Sequence, residues 1–271
     1  MDLSVRRAIK AFFCAGSALL LVACSKPAEK TVEVRAAFTI PRILQAIDSL
    51  PTDSLVHSDH LDRAMVEYWG KFQSTSSIDL ETRHDTFPRE DHIDGGPWLR
   101  SRDSIGTDGL QLSLDYATTI LLKDPHFNTG PKYPVFLYNE TTKSKVLWGK
   151  DGRLFAIQEA IDSSGRWRPI EGRPNDFCGN GRWGEVIRPG QFVAFGMTKY
   201  SGDYQTRLRV RLLNDEAIYV SQPVPGSINY AQFRLKPDTY FFDAMKREPL
   251  GTIVVDFYGA LPFEYKPRDF E

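Results

Sequence analysis

Arg207-Leu208-Arg209-Val210-Arg211-Leu212 alternates a guanidinium with an aliphatic side chain at every step. Successive side chains of a strand point to opposite faces. The stretch therefore predicts a strand with its arginines on one face and Leu208, Val210 and Leu212 entering a core. Three guanidiniums in a row are suited to grip a partner bearing carboxylate or phosphate. The plainer reading is a solvent face paired with acids on neighbouring strands. Working outward, Leu110, Leu112 and Leu114 alternate with polar residues, residues 133–138 and 154–161 are compact apolar runs, and 192–195 and 218–220 continue the strand character. The connectors Lys150-Asp151-Gly152, Ser163-Ser164-Gly165, Arg188-Pro189-Gly190 and Ser201-Gly202-Asp203 carry turn chemistry. A mainly β fold follows.

Upstream, the period changes. Ile40, Ile43, Leu44, Ile47 and Leu50 fall at helical spacing, with Thr39 able to cap, Pro41 in the first turn and Pro51 as the stop. Leu61, Ala64, Met65, Tyr68, Trp69 and Phe72 repeat that stripe behind Ser58 or Asp59. Two short amphipathic helices are expected, followed by an irregular stretch over 73–109 that contains Gly95-Gly96-Pro97. Beyond residue 230, residues 253–258 (Ile-Val-Val-Asp-Phe-Tyr) predict an extra strand, and residues 243–248 one helical turn before Pro249. The aromatic tail, with Phe263, Tyr265 and Phe270, is expected to pack on the body.

About seven short strands separated by such turns fit a sandwich of roughly 100 residues. The segment Asp162-Ser163-Ser164-Gly165-Arg166-Trp167-Arg168-Pro169-Ile170-Glu171 resembles a strand-turn-strand of bacterial immunoglobulin-like modules. Arg188-Pro189-Gly190, and Gly202-Asp203-Tyr204 leading into the arginine-rich strand, resemble their later half. The resemblance implies an immunoglobulin-like antiparallel β-sandwich over residues 108–230, without the cysteine pair of antibody domains. A helical N-terminal element over 38–107 and an extension over 231–271 packed on the sandwich complete the expected body.

The N-terminus carries Arg6, Arg7 and Lys10 ahead of an apolar run of 13 residues, 11–23. A bilayer needs roughly 20, so the run reads as a secretory signal. It ends in Leu21-Val22-Ala23-Cys24, which resembles the lipobox of bacterial lipoproteins. The resemblance implies cleavage before Cys24, lipid on its sulfur, a tether over 24–37 and attachment to a membrane. Ser25 stands where an aspartate often retains such proteins at the inner membrane, which leans toward the outer membrane. Several acyl chains are needed, because one gives only marginal attachment.

The full chain carries a net −1, of which residues 1–23 contribute +2, leaving −3 on the remainder. This balance argues against a general nucleic-acid binder. Cys14 leaves with the signal and Cys24 takes the lipid, so Cys178 has no partner for an intrachain disulfide. The richest set of metal-ligating types is His84-Asp85 with Glu90-Asp91-His92 and Asp94; His84, Asp91 and His92 are its candidates for a metal or a hydrolytic site. The spacing matches no calcium loop, and a solvated mixed-charge loop explains it as well. His57 and His60 with Asp62 are a second, thinner set, lacking the further ligands a zinc site requires. Cys178-Gly179-Asn180-Gly181-Arg182-Trp183-Gly184 is the most unusual loop, its glycines permitting a tight path or close approach to a ligand. With Trp167, Asn180 and Trp183 it is the first candidate for binding a glycan or peptide, against the alternative of a plain inter-strand loop. No nucleophile elbow, phosphate loop or dinucleotide fingerprint is present, and no cofactor is implied. The expected role is a membrane-anchored, non-catalytic interaction or structural module with an envelope protein or glycan partner. An envelope hydrolase or a carbohydrate- or peptide-binding lipoprotein is the alternative.

Overall fold

Strands Lys132–Tyr138 and Gln191–Thr198 pair antiparallel across seven positions and are almost wholly buried. In the computed structural model the described residues are 37–47, 50–51, 54–80, 91–95, 105–121, 130–174, 180–237 and 239–263. The expected lipobox and the expected tether up to residue 36, His84, Cys178 and the end of the aromatic tail lie outside them.

In chain order the elements are β1 (Arg42–Ile43), β2 (Ala46–Ile47), β3 (Asp62–Arg63), β4 (Glu67–Gln73), β5 (Ser77–Ile78), β6 (His92–Asp94) and β7 (Gln111–Leu114). There follow β8 (Thr119–Ile120), β9 (Lys132–Tyr138), β10 (Lys145–Lys150), β11 (Arg153–Leu154), β12 (Ala156–Ile161), β13 (Trp167–Pro169) and β14 (Glu171–Gly172). The last are β15 (Arg182–Ile187), β16 (Gln191–Thr198), β17 (Tyr204–Asn214), β18 (Ala217–Val220), β19 (Val224–Ile228), α1 (Tyr240–Arg247) and α2 (Leu250–Asp256). The fold is mainly β. A six-stranded sheet runs β2-β8-β9-β16-β4 with β7 also on β9, a four-stranded sheet β11-β10-β15-β6, and a five-stranded sheet β13-β12-β17-β18 with β19 also on β17. All their pairings are antiparallel, whereas β1 with β5 and β14 with β3 are short parallel pairs. Among the described residues no helix is long and apolar enough to cross a membrane.

The central pair β9–β16 explains its own composition. Tyr133, Val135, Leu137, Val193, Phe195 and Met197 enter one core, shared with β10, β12, β17 and both helices. Phe136, Phe192 and Ala194 enter a second core on the other face, closed by Trp69, Ile43, Ile78 and Ile120. Strands buried on both faces read as continuous apolar runs instead of alternating ones. β17 has one covered face, and the expected alternation holds: Leu208, Val210 and Leu212 are buried while Arg207 is exposed and Arg209 and Arg211 lie half-buried.

The two N-terminal helices are absent, and strands stand in their place. β4 pairs with β16, and Trp69 is an extra residue between Gly70, opposite Ala194, and Tyr68, opposite Phe195. This β-bulge, with Gly70 at φ 137°, sends Tyr68 toward the first core and Trp69 into the second. Apolar residues covering two faces across a bulge thus produced the 61/64/65/68/69/72 spacing that mimics a helix. In the earlier stripe only Ile43 is buried, while Ile40 and Leu44 are exposed. One helical face was never present.

The C-terminal strand is corrected in the opposite sense, because residues 250–256 form α2. Its run of β-branched residues favours a strand intrinsically, but tertiary packing overrides such preferences. Ile253 and Phe257, one helical turn apart, are each 1% exposed, whereas Val255 between them is 54% exposed. A strand would have placed all three on one face. The helical turn expected at 243–248 is part of α1, capped by the Thr239 side chain, which accepts from the Phe242 backbone N–H.

The helix makes a clear prediction. Ile253→Ala should cost about 2–5 kcal/mol, as buried truncations do, and Val255→Ala no more than about 0.5 kcal/mol. Urea denaturation of the two variants checks it, since comparable losses at both positions would restore the strand.

Candidate functional site

The described residues among those singled out in the sequence are distributed over different strands and loops. Trp167 stands on β13, where the Arg209 guanidinium lies 4.0 Å above its ring. Arg209 Nε also contacts Glu159 Oε2 at 2.8 Å, and Arg211 Nε the same oxygen at 3.2 Å. Two arginines of the quoted strand therefore serve a buried carboxylate on neighbouring β12, and Arg207 donates to the Pro223 carbonyl at 3.1 Å.

Trp183 is on β15 and belongs to a reciprocal pairing with β10. Trp148 faces Gly184 and Gly149 faces Trp183 across the two strands, and a Cβ on either glycine would overlap the opposing indole. Trp183 also meets Tyr68 edge-on at 5.1 Å and lies nearly parallel to the His92 ring at 6.5 Å. Asn180 is exposed just before β15.

Asp91 and His92 are brought to β15 by β6, and they separate functionally. Asp91 is buried between two cations, Lys71 Nζ on Oδ2 at 2.6 Å and Arg188 on Oδ1 at 2.7 Å. The same Lys71 reaches Glu185 Oε1 at 2.6 Å and donates to the Val186 carbonyl at 3.0 Å. Burial lifts the Glu185 carboxyl above its ordinary range, against the pull of Lys71. His92 Nε2 meets Asp94 Oδ1 at 3.2 Å. His60, in a loop and not on a helix, contacts Asp59 and Asp62. Among the described residues no group of three His, Cys, Asp or Glu is placed to hold a metal ion.

Where the β10–β11 turn, the 213–215 corner and α2 meet, there is a cleft of about 240 Å³. Its floor holds Trp148, Leu154, Phe155 and Tyr258; Lys150, Arg153, Arg173 and Arg182 face it against Asp151 and Asp215. The glycine loop shapes one wall. Gly181 has φ 78° and a Cβ there would overlap the Asp151 carboxylate, while the Asp151 backbone N–H donates to the Gly181 carbonyl at 2.9 Å. The loop suspected from sequence thus borders a concavity through Arg182, and Lys150-Asp151-Gly152, which read only as a turn, lies on the same cleft. Arg153 and Arg173 carried no local signal, because only the closing of the hairpin against α2 brings them together.

A second cleft, of about 410 Å³, is lined by His60, Asp62, Lys132 and Tyr200 among others. Its polar groups turn inward. The Tyr200 hydroxyl donates to Glu171 Oε1 at 2.9 Å, and Gln158 donates its backbone N–H to Oε2 at 2.9 Å and its side-chain amide to Oε1 at 3.0 Å. Burial nevertheless pushes Glu171 up to about 7, the three donors only partly offsetting it. Lys132 donates to the Met65 carbonyl at 3.2 Å, and burial lowers its pKa. A scan against family models, a search of curated proteins and a search of solved structures found no match.

Two outcomes are expected. Lys71→Met leaves Asp91 and Glu185 without their shared cation and should destabilise the fold by about 3–5 kcal/mol, read by thermal or urea unfolding. Glu171 holds its proton more tightly folded than unfolded, so its contribution is fully present below its ordinary 4.5 and is lost as pH rises to about 7. The wild-type stability should therefore fall over that window, relative to Glu171→Gln, by up to about 1.4 kcal/mol per pH unit. Parallel pH profiles for the two proteins would refute this.

Proposed function

We propose that this chain is a membrane-tethered lipoprotein of a bacterial envelope whose β body is a non-catalytic binding module. The observation that carries the reading is the cleft beside the glycine loop, where an aromatic floor meets convergent charged groups, the usual make-up of a ligand pocket. The lipobox at Leu21-Val22-Ala23-Cys24 supports attachment to a membrane, with Ser25 favouring the outer one, and so limits the ligand to what lies within tether reach. A partner in the envelope, protein or glycan, is the natural occupant.

For the body, we extend the reading to an immunoglobulin-like sandwich. What supports it is that the antiparallel strands between residues 132 and 228 fall in separate sheets that share one core. Such a fold assigns no activity by itself.

The hydrolase alternative at the acidic loop has less support. Both oxygens of Asp91 are engaged by cations, so neither is turned toward a substrate. In the second cleft the Tyr200 hydroxyl likewise donates inward to Glu171, and Lys132 gives one N–H to the Met65 carbonyl.

Replacement of Cys24 with Ser tests the tether. The wild-type chain should take up labelled palmitate and fractionate with membranes, and Cys24→Ser should do neither. Label and membrane retention in the variant would overturn the lipoprotein reading.

A further inference from the structure

We propose that Lys132, at the start of β9, is a carbonyl-capture site, its amine forming a reversible imine with a small aldehyde or ketone held in the cleft of about 410 Å³. The inference goes beyond the binding reading above and concerns the other cleft.

Lys132 stands directly opposite Thr198 of β16, and residues paired in this way share one face of a sheet. Both line the cleft, together with Tyr200 two residues further along. The lysine stem passes over Gly196, where a Cβ would come within 2.8 Å of Lys132 Cδ. Its Nζ donates to the Met65 carbonyl at 3.2 Å, and Met65 also lines the cleft. Strand pairing therefore brings the amine to the cleft wall.

The surroundings of that amine set it apart. Lys71, Lys145 and Lys150 are likewise withdrawn from solvent, and each has an acid at 3.4 Å or closer. Lys132 is 5% exposed and forms no ion pair among the described residues. Glu67 of β4 and Glu171 of β14 act on it from further off and favour the ammonium, but burial outweighs them and lowers its pKa. His60, Asp62 and Arg63 are the other charged groups among the residues lining the cleft. A desolvated lysine is more easily held neutral, and only the neutral amine is a nucleophile toward a carbonyl.

In the step itself the nitrogen lone pair attacks the carbonyl carbon, and the C=O electron pair moves to oxygen. Both protons of the neutral nitrogen end on that oxygen, which departs as water while the C=N bond forms. Water reverses the step, so no oxidant or other co-reactant is consumed. Leu61, Met65 and Phe241 give the cleft apolar walls, which suit an apolar carbonyl compound. An apolar cavity of about 150 Å³ holds benzene, so the cleft has room for benzaldehyde.

The test uses the full chain in vesicles of phosphatidylcholine, a lipid without a primary amine. Benzaldehyde and cyanoborohydride are added at about pH 6.5, where ordinary lysines are protonated. Peptide mapping then follows each lysine, the trapped imine being read as a benzyl adduct. Lys132 should be trapped at least about tenfold faster than the exposed Lys143. Unfolding in urea should abolish that difference. Trapping of Lys132 at or below the rate of Lys143 would overturn the proposal. So would a preference that survives in urea, because it would belong to the local sequence and not to the cleft. Either failure leaves the tether and the first cleft untouched, since neither involves Lys132.

Discussion

Two adjacent strands that bury both faces must be covered on both. β9 and β16 have no solvent side, since their odd positions feed one core and their even positions the other. Burial of large side chains is worth about 1.5–3 kcal/mol each, so exposing either face would forfeit several such terms at once. The remainder of the chain is arranged by that demand. β10, β12, β17 and the two C-terminal helices close the first core, while β1, β5, β8 and the bulge at Trp69 close the second. The segment before residue 108 is therefore a structural layer of the same body, pairing directly with β16.

Covering both faces also forces charged residues inward, where they must be matched. Glu159 is met by Arg209 and Arg211, Asp91 by Lys71 and Arg188, and Glu171 by three hydrogen-bond donors. Such groups are expensive to strand and contribute modestly when paired. Asp91, one of the acids that stand out in the sequence, is held in this way between two cations. The cleft near α2 differs in that Lys150, Arg153, Arg173 and Arg182 face it beside only Asp151 and Asp215.

Legibility followed the number of covered faces. The strand at Leu208, Val210 and Leu212 was readable because one of its faces is polar, and the turns at Gly152, Gly165 and Gly190 because each has positive φ. β4 was not readable as a strand, because residues serving two cores across a bulge lose the period of two and acquire one near helical. The run 253–258 was misread for the reverse reason: its side chains prefer a strand, and only contact with the first core makes Ile253 and Phe257 neighbours on a helix. Of the site, the glycine loop with Arg182 was visible as an oddity, and Trp183 proved to be the counterpart of Gly149.

The sequence by itself determined the mainly β class, the turn positions, the alternating face of β17 and the lipobox-like start, since each is a local property of adjacent residues. Tertiary structure alone decided that the N-terminal stripes are strands, that the last apolar run is a helix, and that Lys150, Arg153, Arg173 and Arg182 face one concavity. The physical reason is common to all three. A side chain's partner across a core, or a charge's neighbour across a cleft, is set by where distant segments close, and no local period encodes that distance.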